Sequence, residues 1–375
     1  MRRFTYILTF LSLIGVSCQN RNTCSLTGTI VNCKDSTILY LVDLDSLNFV
    51  DSIIVVNGTF THKLHLTHPT KFIFHKKRDQ YEFRDRKYIW LEPSEISLNG
   101  DFEFLKKLQV NGSVSNMEFE KYHQLLDEAN KRINNLEEQI HFKSEVEKVS
   151  EQVKIDSLKK ELSNEIEHFM IENKNSYVSL SELHSECYLA FRHLTKEQIK
   201  NVYNNLSSEL RITVKGNEIK KYMELPEPPK IGDIAPEIIQ ITPSGDTVRL
   251  SDFRGKYVLL DFWSSSCGPC RGEFKWLRKA YDKFSPKGLV ILGVSGDNNK
   301  QKWVDAIIHD SISWINISDL KGWENEAFLL YDIKRIPNKY LINPDGLIIK
   351  DGIWFSSESI TDHVLGEIFE KGNGL

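Results

Sequence analysis

Two cysteines, Cys267 and Cys270, lie between an apolar run and a helical repeat, and this arrangement constrains the fold of the chain more than any other feature. Residues 258–263 are apolar except for Asp261, as in a strand buried on both faces of a sheet. After Cys270, apolar residues recur at helical spacing, and a second apolar run, 289–294, precedes another helical stretch. Strands that alternate with helices predict an α/β fold with a central sheet.

The spacing of the two cysteines predicts redox chemistry. A cysteine at the N-terminus of a helix lies against free backbone N–H groups and the positive end of the helix dipole, and both favour the thiolate. Because the thiolate is the nucleophile, we expect Cys267 to attack a disulfide and Cys270, one turn into the helix, to resolve the mixed disulfide. Pro269 suits the first turn of a helix, where its missing N–H costs little.

Asp261 is the second informative residue of this segment. A carboxylate inside an otherwise apolar strand is costly unless it is paired or used in the chemistry. Burial would raise its pKa and suit it to exchange protons with Cys270 during resolution. The alternative is an aspartate at the end of a strand that is held by hydrogen bonds.

The segment 261–270 begins Asp-Phe-Trp and ends Cys-Gly-Pro-Cys, and it resembles the active-site segment of thioredoxin. Together with segments 232–236, 250–256 and 336–346, it makes residues 232–372 resemble the TlpA/ResA branch of bacterial extracytoplasmic thiol–disulfide oxidoreductases. The resemblance implies a thioredoxin fold and a dithiol/disulfide reaction that uses no metal or organic cofactor.

The resemblance also implies roles for residues around the two cysteines. Pro337 is expected to be a cis-proline that faces the active site, and the backbone of Ile336 is expected to pair with a bound substrate. Gly268 and Pro269 are further expected substrate contacts. Glu273 matches a glutamate that tunes the cysteines in the ResA branch, and the alternative is an exposed acid in the first turn of a helix.

Two positions distinguish this chain within the resemblance. Ser266 stands where thioredoxins usually carry tryptophan, which removes a flat apolar surface beside the nucleophile. Many TlpA-like proteins carry asparagine at the position of Asp261, so in this respect the site is closer to thioredoxin itself. The serine bears on substrate preference and reduction potential, and it leaves the expected chemistry unchanged.

The chain upstream of these motifs has two other patterns. Residues 25 to about 112 contain short β-branched or aromatic runs separated by turn signals, which predicts an antiparallel sandwich or small barrel. From about Asn116 the apolar period becomes helical, which suits either dimerisation or an intramolecular helical hairpin. We therefore expect a multidomain chain with an antiparallel β-rich domain at 19–114, a helical region at 115–225, a proline-rich linker at 226–231 and the thioredoxin-like α/β domain at 232–375.

Residues 1–18 are typical of an export signal. Arg2 and Arg3 precede an apolar run, 4–16, that is too short to span a bilayer and ends in small residues. The cysteine that follows, Cys18, resembles the lipidated cysteine of a bacterial lipoprotein box. The alternative is an ordinary signal peptide with a chance cysteine. We expect a protein of the cell envelope that faces the periplasm and is anchored to a membrane through Cys18, and its β-rich and helical start also resembles that of Bacteroidetes lipoproteins.

Three further cysteines need a role, because disulfides persist in an exported protein. Cys24 and Cys33 are a candidate structural bridge, although their spacing does not establish the geometry. Cys187 is expected to be a small buried hydrophobe in a helix. The odd number of cysteines leaves an intermolecular bridge as the alternative.

Other functions fit the sequence less well. A structural disulfide rarely occupies a strand–loop–helix turn with an acid behind it. A zinc site would need two more ligands near the motif, so no metal site is predicted. Peroxiredoxins place a lone cysteine in a loop with proline and threonine, which this sequence lacks. The formal net charge of −4 provides no basic field for nucleic acid.

These features predict a lipid-anchored, periplasm-facing protein disulfide reductase. Its expected partners are envelope proteins that carry disulfides, with apocytochrome c among the candidates, and an upstream membrane thiol donor that reduces the enzyme again. The alternative is an envelope lipoprotein whose first 225 residues bind a partner, with the redox domain subsidiary.

Overall fold

The computed structural model describes residues 22–369 apart from 45–49, 77–84, 141–142, 189–191, 354 and 356. The predicted export signal, residues 1–18, and the proposed lipidation site Cys18 lie outside the described residues. The chain divides into two compact units, the first formed by residues up to 142 together with 176–178 and the second by 143–175 together with 179 onward. Within the described ranges, no helix combines the length and the apolar character that a membrane span needs.

The described residues of the first unit form eight strands and one long helix. These are β1 (Thr23–Val31), β2 (Thr37–Asp43), β3 (Val50–Val55), β4 (Thr59–His65), β5 (Thr70–His75), β6 (Lys87–Leu91), β7 (Glu95–Asp101), β8 (Gln109–Asn111) and α1 (Val114–Ile140). The strands make two four-stranded sheets, in the orders β4-β1-β7-β8 and β3-β2-β5-β6. Side chains of both sheets, such as Leu26 and Leu39, share one buried cluster, so the predicted sandwich forms.

The sandwich is not wholly antiparallel, which corrects the sequence prediction. Strands β1 and β7 pair in parallel, with Leu26 opposite Ile96, whereas β1 and β4 are antiparallel. Between β1 and β7 the chain forms β4 of the same sheet and all four strands of the other sheet. A long crossover of this kind permits a parallel pair, and a short turn does not.

The predicted helical region 115–225 is divided between the two units. Helix α1 belongs to the first unit, and most of the remaining helices belong to the second. These helices are α2 (Glu145–Glu172), α3 (Tyr177–Tyr188), α4 (Lys196–Asn205), α5 (Ser208–Arg211) and α6 (Val214–Glu224). The last three each begin after a hydroxyl residue whose side chain accepts a backbone N–H of the first turn, namely Thr195, Ser207 and Thr213.

The rest of the second unit alternates strands with helices, which confirms the predicted α/β fold. Its elements are β9 (Ile239–Ile241), β10 (Thr247–Arg249), β11 (Tyr257–Trp263), α7 (Gly268–Phe284), β12 (Leu289–Ser295), α8 (Lys300–His309), β13 (Ile315–Ile317), α9 (Glu326–Leu330), β14 (Asn338–Ile342), β15 (Ile348–Lys350) and α10 (Glu358–Phe369). Five strands form a sheet in the order β13-β12-β11-β14-β15, in which β11 is parallel to β12 and antiparallel to β14.

The central strand β11 contributes to a buried cluster on each face of this sheet. Leu260 and Phe262 belong to the cluster that includes Tyr331, whereas Leu259 and Trp263 belong to the cluster that includes residues of α7. Because successive side chains of a strand point to opposite faces, Asp261 shares the face of Leu259 and Trp263. The sheet therefore directs the buried acid towards the helix that carries Cys270.

Candidate active site

The site begins at the turn between β11 and α7. Cys267 is the N-cap of α7, and its Sγ accepts the backbone N–H of Cys270 at 3.1 Å. The two cysteines form a disulfide, and their Cα atoms are 5.3 Å apart. Cys267 is 9% exposed and Cys270 only 1%, while Gly268 and Pro269 between them are exposed. An incoming group can therefore approach the disulfide along the Cys267 edge.

A buried aspartate, Asp297, holds the loop before Cys267 in place through hydrogen bonds. The sequence did not indicate this residue. The backbone N–H and the hydroxyl of Ser265 donate to the Asp297 carboxylate at 2.9 and 2.5 Å. The Ser295 hydroxyl, at the end of β12, donates to the same carboxylate at 2.6 Å. Neighbouring Ser266 is exposed, so the loop is anchored from within and presents a small polar side chain outside.

Behind the cysteines, Asp261, Lys339 and Glu273 form a cluster that we call the buried triad. Lys339 lies opposite Asp261 in the register of β11 and β14, and its Nζ is 3.2 Å from Asp261 Oδ1. The same ammonium group pairs with Glu273 Oε2, while Glu273 Oε1 accepts the Phe355 backbone N–H at 3.1 Å. All three side chains are almost fully excluded from solvent. One lysine therefore forms ion pairs with two buried carboxylates.

The electrostatics of the buried triad favour uptake of a proton. Burial raises the pKa of the Asp261 carboxyl above its ordinary value, and the Lys339 ammonium opposes this rise. Burial likewise raises the pKa of Glu273, and the Asp261 charge adds to the rise while Lys339 opposes it. Asp261 Oδ2 is buried and has no hydrogen-bond partner among the described residues. The arrangement can accept and return a proton on the face of β11 that packs against α7.

The structure places the other predicted site residues around this centre. The Ile336–Pro337 peptide bond is cis. Ile336 is partly buried and packs against the cluster that contains both cysteines. Glu273 is 3% exposed, which excludes the alternative of an exposed helical acid. Lys339 was not predicted from the sequence, although a buried Asp261 implied a cation and Lys339 is the charged residue directly before an apolar run.

The remaining described cysteines have no part in the site. Cys24 and Cys33 are unpaired. Cys24 lies near the start of β1 and Cys33 follows two residues after its end, and at about 3.3 Å per strand residue this separation is far beyond the roughly 7 Å between Cα atoms that a disulfide allows. The candidate bridge between them is therefore wrong. Cys187 is buried in α3, as predicted, and burial raises the pKa of its thiol. Among the described residues, no group of three His, Cys, Asp or Glu side chains could hold a metal ion.

Comparison with known proteins matches two regions of the chain. Residues 231–350 match the AhpC/TSA family, and residues 24–119 match a domain of unknown function, DUF4369. The thiol-disulfide oxidoreductase ResA of Bacillus subtilis (strain 168) is 29% identical over 121 residues, which cover 32% of this chain and 65% of that protein. ResA of Oceanobacillus iheyensis is 35% identical over 123 residues, which cover 32% of this chain and 62% of that protein. The chain thus spans slightly less than two thirds of each of these relatives.

A solved structure is similar over a somewhat larger share of the chain than the ResA relatives. The thioredoxin domain of a thiol-disulfide oxidoreductase from Bacteroides vulgatus is 33% identical and covers 38% of this chain and 99% of its own, with a TM-score of 0.35. The family match, the ResA relatives and the β11–α7 geometry are consistent with one another. The C-terminal region of this chain is therefore similar to the AhpC/TSA family over residues 231–350 and homologous to the ResA thiol-disulfide oxidoreductases, and it follows a region that matches DUF4369.

Proposed function

We propose that this protein is a thiol–disulfide oxidoreductase that reduces disulfides in proteins of the cell envelope. The observation that carries the proposal is the Cys267–Cys270 disulfide at the N-terminus of α7, which is covered except at the Cys267 edge and has the buried triad behind it. A structural disulfide has no need of two buried carboxylates that share one lysine, because that cluster costs free energy to bury.

The first half of the reaction is an attack by the reduced enzyme. The Cys267 thiolate, favoured by the dipole and free N–H groups of α7, attacks one sulfur of the substrate disulfide. That disulfide breaks, a mixed disulfide forms with Cys267, and the second substrate sulfur leaves as a thiolate that takes up a proton.

The second half releases the substrate. Cys270 gives its proton to the Asp261 carboxylate and attacks Cys267 Sγ, so that the mixed disulfide breaks and the 267–270 disulfide forms. The substrate sulfur leaves as a thiolate and takes up a proton, Asp261 gives up the proton that it received from Cys270, and two electrons have moved from the enzyme to the substrate. A membrane thiol donor restores the dithiol by the same exchange in reverse, with no metal or organic cofactor.

Substrate recognition is assigned to the exposed side of the turn. Gly268 and Pro269 lie on the accessible edge of the disulfide, and Ile336 stands before the cis-proline Pro337. In this proposal the Ile336 backbone pairs with an extended substrate segment. Ser266, small and exposed, leaves space beside Cys267 for a folded or bulky protein substrate.

The reduction potential of the Cys267–Cys270 pair tests the proposed direction. The purified mature chain would be equilibrated in glutathione or dithiothreitol buffers and its thiols counted by mass spectrometry. A value near that of thioredoxin, about −270 mV, supports a reductase, whereas a value near that of DsbA, about −120 mV, makes the protein an oxidant. If the two cysteines never form a reversible disulfide, the proposed function is wrong.

Location and partners have a separate test. We propose that Cys18 carries the lipid anchor, so Cys18→Ala is expected to move the protein from the membrane fraction to the soluble fraction of the cell envelope. In the anchored protein, Cys270→Ser is expected to trap mixed disulfides with envelope proteins, with apocytochrome c as one candidate. Absence of any trapped partner would count against a protein substrate.

A further inference from the structure

Arg192 is a buried cation far from the cysteines in sequence. It lies between α3 and α4, and its side chain is only 3% exposed. Taking a guanidinium group out of water is costly unless good acceptors surround it. The acceptors of Arg192 therefore indicate which parts of the molecule it holds together.

Those acceptors come from both sides of the second unit. On the helical side, Nη1 donates to the Tyr222 hydroxyl of α6 at 2.9 Å and to the Cys187 carbonyl of α3 at 3.2 Å. On the side of the thioredoxin-fold domain, Nη1 is 2.9 Å from Asp332 Oδ1 and Nη2 donates to the Ile333 carbonyl at 3.3 Å. The planar fork of arginine suits such divided contacts, and a lysine could not make them all.

The Asp332 carboxylate, which forms an ion pair with Arg192, and the Ile333 carbonyl, which accepts its hydrogen bond, belong to the loop that leads to cis-Pro337. This loop, residues 331–337, joins α9 to β14. Its start is fixed from the domain side, because the Tyr331 hydroxyl donates to the Pro236 carbonyl at 2.7 Å and Ile333 is buried. Asp332 has a φ of 49°, a left-handed conformation that costs free energy in a residue other than glycine. Arg192 contacts the loop at this strained residue and at the next peptide group.

We infer that Arg192 positions the cis-Pro337 loop, so that the helices of the second unit form part of the substrate-binding apparatus. The inference rests on the proposed function, in which the backbone before Pro337 pairs with an extended substrate. Arg192 touches neither the substrate nor the cysteines, and it is a positioning residue. Its loss frees the loop, which weakens capture of a peptide backbone and leaves the disulfide chemistry at Cys267 intact.

Two substrates separate positioning from a merely structural role. A protein disulfide such as that of insulin presents an extended backbone to the loop, whereas 5,5′-dithiobis(2-nitrobenzoate) presents none. For Arg192→Met in the mature chain, with dithiothreitol as reductant, we expect the KM for insulin to rise about tenfold. The rate with the small disulfide and the reduction potential of the Cys267–Cys270 pair stay at wild-type values.

Graded variants keep the test informative if Arg192→Met does not fold. Arg192→Lys keeps the charge and loses the fork, and a smaller rise in the KM for insulin is expected. Asp332→Asn removes one acceptor charge while asparagine tolerates the left-handed backbone, so the smallest rise is expected there. A matched control, Lys350→Met, removes a partly exposed cation from β15 and leaves both substrates unaffected.

The outcomes distinguish this inference from the proposed function. If the wild-type protein reduces neither substrate, the proposed function fails and the inference fails with it. If the wild type reduces both substrates and the variants match it, only the role of Arg192 is overturned. Equal losses with both substrates, in parallel with a lower Tm, would also overturn it by showing a purely structural role.

Discussion

Cys24 of the first unit and Cys267 of the second are the same residue type in opposite surroundings. Cys24 lies inside β1 with no exposed surface, and burial raises the pKa of its thiol to about 11. Cys267 begins α7, where its Sγ accepts a backbone N–H and one edge reaches solvent. Reactivity therefore follows from the position of a cysteine in the fold. A helix N-terminus provides free backbone N–H groups and a positive dipole end that favour the thiolate, and the interior of a strand provides neither.

The interiors of the two units differ in the same way. Among the described residues, every buried aspartate, glutamate and lysine lies in the second unit, whereas the buried polar residues of the first are Thr, His, Ser and Asn. Buried charge is expensive, and a fold retains it where geometry and pairing compensate. The core of the second unit therefore holds the charges of the site as well as its apolar side chains.

The comparison of the two cysteines predicts the largest effect at Cys267. Cys267→Ser removes the nucleophile and is expected to lower insulin reduction by about 10⁴-fold or more. Cys24→Ala, the matched substitution in the other unit, is expected to change turnover less than about twofold. Cys24 lies outside the active site, so its replacement removes packing contacts and no reacting group. Comparable losses of insulin reduction in both variants would contradict the claim that the position of a cysteine in the fold sets its reactivity.

The next effect concerns the proton acceptor. Asp261→Asn keeps the shape of the side chain and removes its basic oxygen, so we expect the release of the mixed disulfide to slow by about 10²-fold. Stopped-flow fluorescence with a peptide disulfide measures this step. Asp282→Asn, which alters an exposed carboxylate of α7, is the control and should leave the rate unchanged.

Asp261 also predicts how stability depends on pH. Its pKa in the folded protein lies above the ordinary value of 3.8, so the folded state binds this proton more tightly than the unfolded chain. The contribution of Asp261 to the free energy of unfolding is therefore present at low pH and is lost as the pH rises from about 3.8 through the folded-state pKa. Urea unfolding should show this loss in the wild type and a smaller one in Asp261→Asn. Equal pH dependence in both would argue against a raised pKa.

A smaller effect on turnover, with a marked effect on stability, is expected at Lys339. Lys339→Met leaves two buried carboxylates without their cation, which is expected to cost about 3–5 kcal/mol of unfolding free energy. The pKa of Asp261 rises further, so the rate of mixed-disulfide release should reach its plateau at a higher pH than in the wild type.

A lysine in a neighbouring strand provides the control for this variant. The Nζ atom of Lys350 lies 3.4 Å from Oε2 of Glu367, and both side chains are partly exposed. Lys350→Met is therefore expected to cost less than about 1 kcal/mol and to leave the pH profile unchanged. A similar cost for both lysines would mean that the buried triad contributes no more than a surface pair.

Local patterns account for what the sequence could predict. The apolar run of β11, the cysteine pair and the helical repeat of α7 are contiguous, so they identify an α/β turn with Cys267 at a helix N-terminus. The nearly continuous apolar run of β11 was also enough to predict that Asp261 is buried. The first unit could be read as a sandwich from its short strands, which local patterning marks without specifying their pairing.

Long-range pairing accounts for what could not be predicted. Lys339 meets Asp261 only because β14 lies beside β11 in the sheet, and no local pattern links those strands. The parallel pairing of β1 with β7 depends on a crossover through another sheet. The contact of Arg192 with Ile333 likewise joins segments far apart in the chain, so helical periodicity could not show that these helices belong with the thioredoxin-fold domain.

The smallest expected effect is a difference in alkylation rate between the cysteines, and it can be measured in the wild-type protein without a substitution. In the mature chain reduced by dithiothreitol, iodoacetamide at neutral pH is expected to modify Cys267 first, because its thiolate is favoured and partly accessible. Cys33 is partly exposed and should react more slowly, whereas Cys24 and Cys187 are buried and should react only in urea.

Peptide mass spectrometry at successive times would give the order of modification. Because a buried thiol with a raised pKa presents almost no thiolate at neutral pH, modification of Cys24 must wait for unfolding of the sandwich. Its rate then reports the opening of the first unit, while the rate at Cys267 reports the chemistry of the second. Modification of the partly exposed Cys33 as fast as Cys267 in the folded protein would mean that accessibility alone, and not the helix N-terminus, sets the reactivity of the active cysteine.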